Sequence, residues 1–453
     1  MGGGVNVLIL SLGLPSHISL VLKVAKRLLS KGVDHVTIVT TEEARHRILT
    51  NPNSQSSNIN FEFSSDGLSL DNDRSNSEEL INSLETKGSK NLSSLISSLK
   101  KHQDYSCMII GPIFHFAIDI AAEHGIPCAL LWIQASAVYS ICYRYCKGIN
   151  EFPNMEDLNA NVHLPGFPTF KVRDVHSYIL PSTPENLRNI FVKLFKSIEK
   201  VKWVIGTSVY EIEEEMVKSM TSLTPIYPIG PLVSPLLLGE NSDMCETNKD
   251  SCIEWLDNKP SNSVIYVSFG TWVVLSKEQI DNLAMALKNS NKPFLWVLNP
   301  SKKEDGVEEL PPKFLEDTKG MGLVVKWCQQ ERVLMHPSVG CFVSHCGFNS
   351  MIETILAGVP VVGLPFISDH PTDAMLITQV FGNGVRVERG EDGIASAEEF
   401  ERRIWEVTDG PNANEIKKRA MKMKELARKA SEEGGSADKY IDQFISEITQ
   451  ITK

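Results

Sequence analysis

The segment that decides the fold runs from Trp327 to His370 and reads WCQQERVLMHPSVGCFVSHCGFNSMIETILAGVPVVGLPFISDH. Within it, FVSH is a short buried β-run that ends before Gly347, and Asn349 begins a helix that continues through IETILAG. The apolar run PVVGLPF follows as a second strand. A strand, a glycine turn, a helix and another strand in this order are typical of a parallel α/β sheet.

The polar residues of this segment gather where the helix begins. The first amides of a helix lack partners within it, and the helix dipole adds about half a positive charge there, so this turn favours a phosphate group. Glu353 lies three residues after Ser350, on the same face one turn further along. That position suits a ribose diol, and Trp327 offers a flat face for a base. These parts predict a nucleoside diphosphate site, although an ordinary strand–helix–strand unit without a ligand would also explain the pattern.

The segment resembles the signature box of the plant family 1 UDP-sugar glycosyltransferases. The resemblance implies that Trp327 stacks on uracil, that Glu353 binds the ribose hydroxyls and that Asp369 binds the sugar. It implies further UDP contacts at Gln330, His345, Gly347, Asn349 and Ser350. The SFGT turn at residues 268–271 resembles a second diphosphate contact of the family, which adds Thr271 to the set. The UDP-sugar is a co-substrate, so the resemblance implies no separate cofactor.

Apolar strands alternate with helical segments along the whole chain. The strand runs are VNVLIL, VTIVT, CMIIG, CALLWI and WVIGTS in the first half, and SVIYVSF, PFLWVL, LVVKW, VGCFVSH and PVVGLPF in the second. This alternation predicts an α/β protein with doubly wound parallel sheets. The resemblance implies the GT-B arrangement, in which two such domains face each other across a cleft. We expect an acceptor-binding domain at 1–233, a linker at 234–250, a UDP-sugar domain at 251–435 and a final helix at 436–453 that packs back on the first domain.

Two segments carry local patterns of their own. Residues 50–104 are rich in Ser and Asn, which predicts a long loop with one exposed helix. Ser276 and Gln279 have the spacing of a capping box before a helix. We therefore expect the Gln279 side chain to bond back to the backbone amide of Ser276.

The composition is that of a globular enzyme and excludes several other classes. A net charge of −11 and a pI near 5.6 argue against nucleic acid and anionic membranes as partners. No apolar run approaches the roughly 20 residues of a membrane helix, and no signal-peptide pattern opens the chain. The nine cysteines form no CxxC pair and mostly lie in apolar runs. We expect them to be reduced, in a cytoplasmic, monomeric protein without a metal site.

His17 is the candidate catalytic base, because it stands where the first strand–loop meets the first helix. The family keeps a catalytic histidine here within a pattern like GHxxPxLxLAKRL, which in this chain reads SHISLVLKVAKRL. The family orients that histidine with an aspartate, but alignment on CMII places Gly111 there, and Asp119 lies two turns down a helix. His17 must then be held by another group, or the acceptor must arrive already ionised. A weak or inactive relative of the family is the third possibility.

The sugar end of the box departs from the family pattern at three positions. His370 replaces the usual Gln, Phe348 replaces the usual Trp, and Ile133 in WIQ replaces a Thr that often contacts the sugar. Glucose is the first expectation for the donor sugar, with galactose or a pentose as alternatives.

The acceptor pocket is only weakly encoded. Aromatic and polar residues flank the strands of the first half at Phe114, His115, Trp132, Gln134, Tyr139 and Tyr143. They predict a cleft for a flat, apolar and phenolic acceptor, although core packing explains most of them equally well.

Three functions are compatible with these patterns. The leading hypothesis is inverting transfer of a sugar from a UDP-sugar to a small apolar acceptor, with His17 as general base. A UDP-sugar-binding protein of low turnover is the second, because Gly111 removes the orienting carboxylate. A nicotinamide-dependent oxidoreductase is disfavoured because no GxGxxG follows a strand.

Overall fold

The computed structural model describes residues 4–50, 57–72, 74, 76–238, 251–271, 273–298 and 310–452. The strands of the first half are β1 (Asn6–Leu10), β2 (His35–Thr41), β3 (Ile59–Ser64), β4 (Cys107–Ile110), β5 (Cys128–Trp132), β6 (Asn161–Val162), β7 (Phe170–Lys171), β8 (Trp203–Gly206) and β9 (Ile226–Pro228). The helices between them are α1 (Pro15–Ser30), α2 (Arg45–Leu49), α3 (Ser77–Ser83), α4 (Ser89–Leu99), α5 (Ala117–Glu123), α6 (Ser136–Lys147), α7 (Glu185–Lys196) and α8 (Glu214–Ser219).

The second half repeats this alternation. Its strands are β10 (Val264–Ser268), β11 (Phe294–Val297), β12 (Gly322–Val325), β13 (Val339–Ser344), β14 (Val361–Gly363) and β15 (Gly384–Arg386). Its helices, with the last one of the chain, are α9 (Pro235–Leu238), α10 (Ser251–Asp257), α11 (Lys277–Asn289), α12 (Phe314–Asp317), α13 (Gln330–Leu334), α14 (Phe348–Ala357), α15 (His370–Met375), α16 (Ala397–Thr408), α17 (Ala413–Ser431) and α18 (Ser436–Thr452).

Both large sheets are parallel and doubly wound. The first has the order β3-β2-β1-β4-β5-β8-β9 and the second β12-β11-β10-β13-β14-β15, while β6 and β7 form a separate antiparallel pair. In each sheet the strand order reverses at the first strand, between β1 and β4 and between β10 and β13. Ligands of open α/β sheets bind beyond the carboxyl ends of the strands at such reversals. The topology therefore directs attention to the loops after these four strands.

The ten strand runs expected from the sequence are all present, but the segment 50–104 was predicted wrongly. It contains the parallel strand β3 and two helices, α3 and α4, joined by a π-helical turn at Leu84–Gly88. The strand INFEFS is half polar because β3 is an edge strand with one partner, so it lacks the apolar run of a central strand.

The capping box was half right. The Ser276 hydroxyl does accept a hydrogen bond from the Gln279 amide, at 3.2 Å. The Gln279 side chain instead forms a pair of hydrogen bonds with the backbone of Ala395, each 3.0 Å long. The Gln279 side chain therefore makes a tertiary contact and not the local hydrogen bond of a capping box.

One apolar cluster spans both domains. It includes Tyr139 and Leu194 from the first half and Phe348 and Ile355 from the second. The short helix α9 lies inside the predicted linker, and its Leu237 is fully buried in the same cluster, while residues 239–250 of that linker lie outside the described residues. A continuous apolar interface of this kind holds two domains in one orientation.

The last helix packs on the first domain. Phe444 of α18 is fully buried and meets Trp203 edge-on, with ring centroids 5.5 Å apart. The Trp203 indole donates a hydrogen bond to Glu447 at 2.7 Å, and Lys31 of α1 pairs with Asp438 at 2.7 Å. Among the described residues, no helix is long and apolar enough to cross a membrane.

Candidate functional site

The reversal point of the second sheet forms a tight cradle around His345. Ser268 of β10 and Ser344 of β13 are register partners, so the loops after them leave the sheet side by side. A Cβ atom on Gly347 would lie 2.6 Å from Nε2 of His345, and one on Gly270 would lie 2.9 Å from its Cε1. Both loops therefore need glycine to pass the imidazole. Cys346, between His345 and Gly347, has a φ of 66°, and such strain is concentrated at functional sites.

Helix α14 begins at this cradle with an uncapped N-terminus. Gly347 is its N-cap residue, and no side chain of the described residues bonds to its first amides. The first turn, FNS, contains no acidic residue, and the Asn349 side chain is exposed. The Phe348 ring is buried in the shared apolar cluster, which leaves little of its surface for a sugar. A positive helix end without a side-chain cap, beside a neutral imidazole, is suited to a diphosphate.

The nucleoside end of the site is a hydrogen-bonded network around Gln330. Its amide nitrogen donates to Glu353 at 2.7 Å and to the Ser350 hydroxyl at 2.9 Å, while its oxygen accepts from Tyr266 at 3.0 Å. Tyr266 thus fixes which way the amide points. Burial raises the pKa of Glu353 to about 7, against the opposing effect of the Gln330 hydrogen bond.

Trp327 stands out from the surface at the same end. Its side chain is 75% exposed, although a large aromatic side chain normally packs against the protein. An exposed indole ring three residues before Gln330 suits stacking on a flat heterocycle. Thr271, directly after Gly270, is also exposed at this edge of the sheet.

Two histidines meet at the phosphate–sugar boundary. The rings of His345 and His370 lie edge to face with centroids 4.8 Å apart. Burial lowers the pKa of His345 to about 3, with a further contribution from His370, and burial lowers the pKa of His370 to about 4. Both imidazoles are therefore neutral at pH 7 and act through hydrogen bonds and not through charge.

The sugar end is held by the first domain. Ser368, which precedes Asp369, has a φ of 62°. Its carbonyl accepts from the Ser177 amide at 2.8 Å, and its own amide donates to the Ser177 hydroxyl at 2.7 Å. The Ser368 hydroxyl also lies 3.3 Å from the Gln134 amide and 3.3 Å from Nε2 of His176. The strained backbone before Asp369 is therefore fixed by contacts across the cleft.

The polar run at residues 173–177, here called the cleft brace, continues this contact. Asp174 forms an ion pair with Arg386, and its carbonyl accepts from the Thr372 hydroxyl at 2.8 Å. Arg173 pairs with Glu388 at 3.1 Å at the rim. Sequence reasoning missed the brace, because its partners lie about 200 positions away and the run VRDVHS has no distinctive spacing.

His17 lies in the first turn of α1, near the reversal point of the first sheet. Helix α1 begins at Pro15 with no side-chain cap from the described residues and no acidic residue in its first turn. Burial lowers the pKa of His17, so the imidazole is neutral at pH 7. No described residue hydrogen-bonds to it, and Asp119 is paired with Lys200 at 2.7 Å.

Gly111 follows β4, which lies beside β1 in the sheet. Its φ of −86° and ψ of 167° are open to any residue. Chain neighbours aside, no described atom lies within 4 Å of the position that a Cβ would take. The first sheet therefore has open space at Gly111, the position that the resemblance predicts for an orienting carboxylate.

The residues predicted for the acceptor pocket fall into three groups. Trp132 and Tyr139 are fully buried against the aromatic rings of α7, so their assignment to the pocket was wrong. His115 is buried and bonds to Glu85 at 3.0 Å, whereas Gln134 faces the cleft as described. Ile133, which the sequence predicted as a sugar contact and not as part of the acceptor pocket, is half-buried directly after β5.

Phe114 lines a cavity beyond the carboxyl ends of β1, β2 and β3. Its wall combines apolar side chains with hydroxyls, among them Leu10, Val39, Thr41, Ser64, Leu92 and Phe116. Apolar walls with a few polar groups are the usual composition of a small-molecule site. Within the described ranges, no group of histidine, cysteine or acidic side chains could hold a metal ion.

Comparison with known proteins agrees with this geometry. The family model described as UDP-glucoronosyl and UDP-glucosyl transferase matches residues 198–430. UDP-glycosyltransferase 84B1 of Arabidopsis thaliana is 42% identical over 99% of this chain and 98% of its own. Gallate 1-beta-glucosyltransferase 84A24 of Punica granatum is 37% identical over 98% of this chain and 89% of its own.

Among solved structures, the chain is similar to Os79 of O. sativa, crystallised with UDP. The TM-score is 0.83 with 28% identity, over 98% of this chain and 100% of that one. The two parallel-sheet domains and the shared cleft are those of the GT-B fold. The chain therefore belongs to the plant family 1 UDP-sugar glycosyltransferases, enzymes that transfer a sugar from a UDP-sugar.

Proposed function

We propose that this enzyme transfers glucose from UDP-glucose, with inversion, to the carboxylate of a small aromatic acid, and more slowly to phenolic hydroxyls. The observation that carries the proposal is the pair of unneutralised helix ends that face the two halves of the reaction. Helix α14 offers its N-terminus to the diphosphate, and helix α1 offers its N-terminus beside His17. Each helix end favours an anion, so the departing phosphate and an anionic acceptor are both stabilised.

The donor side supports UDP-glucose. Trp327 would stack on uracil, Glu353 would accept from the ribose hydroxyls, and the first amides of α14 would bind the diphosphate with His345. As charge grows on the departing UDP, those fixed amides stabilise it without reorganising. Asp369 and His370 follow Ser368 at the sugar end and would bind the glucose hydroxyls. The curated gallate relative is named as a glucosyltransferase, which favours glucose over galactose or a pentose.

Gly111 favours a carboxylate over a hydroxyl as the acceptor group. A hydroxyl acceptor must lose its proton to a base, and an oriented base is the more effective one. Here His17 has a lowered pKa, no hydrogen-bond partner among the described residues and an open space at Gly111. A carboxylic acid with a pKa of about 4 is already ionised at pH 7, so it needs no base. Gallate carries such a carboxylate, and the Punica granatum relative is named for gallate.

Inversion follows from the same arrangement. The glucosyl bond of UDP-glucose is α, and the gallate relative is named a 1-beta-glucosyltransferase. Attack by the carboxylate oxygen on the anomeric carbon, from the face opposite the departing UDP, forms one bond as the other breaks. Both sides of that attack come from one chain, so the proposal does not require an oligomer.

The test separates the two acceptor classes with one variant. In His17→Ala, the rate with a phenol should fall by about 10²–10⁴, the usual contribution of a general base. The rate with an aromatic acid that lacks hydroxyls, such as benzoate, should fall less than about tenfold. Equal losses on both acceptors would contradict the carboxylate proposal. An undiminished rate with the phenol would remove His17 as a base.

The open space at Gly111 also favours a second function, binding of UDP-sugar with little turnover. An unoriented His17 would leave hydroxyl acceptors almost unreactive. UDP release measured with a panel of aromatic acids and phenols distinguishes the two. If neither aromatic acids nor phenols cause UDP release, the protein binds UDP-sugar without transferring the sugar.

A further inference from the structure

Asp373 is a fully buried acid that the proposed reaction does not use. It lies on α15 one turn after Asp369, and its amide donates to the Asp369 carbonyl at 2.9 Å. The side chain has no exposed surface, and neither carboxyl oxygen accepts a hydrogen bond from any described N–H or O–H donor. An isolated carboxylate in this position would cost several kcal/mol, so the group needs another explanation.

The groups around Asp373 are acidic and not basic. Burial raises the pKa of Asp373 well above its usual range, and the charges of Asp369 and Glu213 raise it further. Glu213, directly before α8, is itself buried, and its carboxyl accepts from the Ala137 amide at 2.8 Å. Arg386 on β15 is committed to its ion pair with Asp174. Cys346 is a further titratable neighbour, and burial raises the pKa of its thiol well above the usual range, so the thiol is neutral.

A neutral Asp373 changes from an unpaired acceptor into a donor. A protonated carboxyl offers one O–H group, and Asp369, one helical turn earlier on the same face, is the acid that can accept from it. An O–H···O⁻ hydrogen bond is short and strong, and it would hold the Asp369 side chain in one rotamer. It uses one of the four acceptor positions of Asp369 and leaves the others for a ligand.

We propose that Asp373 is a positioning residue for the donor sugar, whose protonated carboxyl donates a hydrogen bond to Asp369 and aims that carboxylate at the sugar hydroxyls. The inference rests on the proposed function, since it assumes that Asp369 binds the sugar. The sugar subsite is then supported on two sides: the cleft brace fixes the backbone at Ser368, and Asp373 fixes the side chain of Asp369.

The test compares Asp373→Asn, which retains a donor of similar shape, with Asp373→Leu, which has the shape but no donor. Calorimetry should show that Asp373→Leu weakens UDP-glucose by about tenfold or more, the usual effect of losing a charge-assisted hydrogen bond. Its UDP affinity should stay within about twofold, because UDP lacks the sugar. Asp373→Asn should restore most of the UDP-glucose affinity.

The outcomes separate this inference from the proposed function. If Asp369→Ala weakens UDP-glucose selectively but Asp373→Leu does not, the positioning role fails and the sugar site stands. If Asp369→Ala leaves the ratio of UDP-glucose affinity to UDP affinity unchanged from wild type, Asp369 does not bind the sugar. Equal losses of UDP and UDP-glucose in Asp373→Leu and Asp373→Asn would indicate a merely structural role.

An infrared measurement keeps the inference testable if Asp373→Leu does not fold. The difference spectrum of wild type minus Asp373→Asn at neutral pH should contain the C=O stretching band of a protonated carboxylic acid. Asp373→Asn is close to isosteric, so the band would report this group alone. A difference spectrum with only carboxylate bands would overturn the proposal.

Discussion

Binding of UDP-glucose should depend on the protonation of Glu353. The half-buried carboxyl of Glu353 accepts from Gln330, and partial burial raises its pKa to about 7 in the absence of ligand. Ribose hydroxyls that donate to the carboxylate favour its ionised form, so binding should lower this pKa. The ionised fraction of the free enzyme falls as the pH is lowered through 7, and the affinity should fall with it.

The size of this effect follows from the pKa. One pH unit below 7, about a tenth of the Glu353 side chains are ionised, so the Kd should rise about tenfold, or about 1.4 kcal/mol. Above pH 8 the affinity should be constant. UDP-glucose is the appropriate ligand because both of its phosphates are esterified, so neither carries the second ionisation near pH ~6 of a terminal phosphate.

Calorimetric titrations with UDP-glucose at pH values from about 5.5 to 8.5, on both sides of the expected pKa, would measure this pH dependence of the affinity. Glu353→Gln is the matched control, because an amide keeps the shape and the acceptor oxygen but cannot titrate. It should bind with a weaker and nearly pH-independent affinity. The reasoning is refuted if wild type and Glu353→Gln show the same slope, or if wild-type affinity rises on acidification.

Three further predictions concern the acceptor and sugar ends. Gly111→Asp should raise rates on weakly acidic hydroxyls more than on carboxylates, because it returns an orienting carboxylate to His17; equal effects across an acceptor series would contradict this. His370→Gln should increase the preference for UDP-glucose over UDP-galactose in donor competition, because an amide donates and accepts toward adjacent hydroxyls; an unchanged ratio would show that His370 does not select the sugar. Ser177→Ala should raise the KM for UDP-glucose about three- to tenfold with UDP affinity unchanged, because it removes one hydrogen bond to Ser368; equal weakening of UDP would contradict a local effect.

The residues of the candidate nucleotide site could be grouped from the sequence because they lie close together in it. The glycine turn, the first turn of α14 and Glu353 lie within a few residues of one another, and helical spacing alone brings them together. The apolar central strands were predictable for a similar reason, since burial on both faces leaves a continuous apolar run. The edge strand β3 is less buried than the central strands, so its sequence lacks a continuous apolar run and predicts a loop.

The contacts across the cleft could not be predicted. The hydrogen bonds between Ser177 and Ser368 join residues 191 positions apart, and no pattern near either residue indicates the other. Trp132 was assigned to the pocket because it ends a strand, but the rings of α7 cover it completely. An aspartate at position 373 likewise gives no indication in the sequence that its carboxyl is buried without a hydrogen-bond donor. Such properties depend on what packs against a residue, which the fold decides.

Transfer itself is tested most directly by incubating the enzyme with UDP-glucose and benzoate, and following UDP release together with the mass of the product. The account predicts one UDP for each molecule of product, which should carry one hexosyl group in a β-ester that alkali cleaves. With His17→Ala, the rate of the same reaction should fall less than about tenfold. UDP-glucose that binds without any release of UDP, with benzoate and with phenols alike, would contradict the central claim.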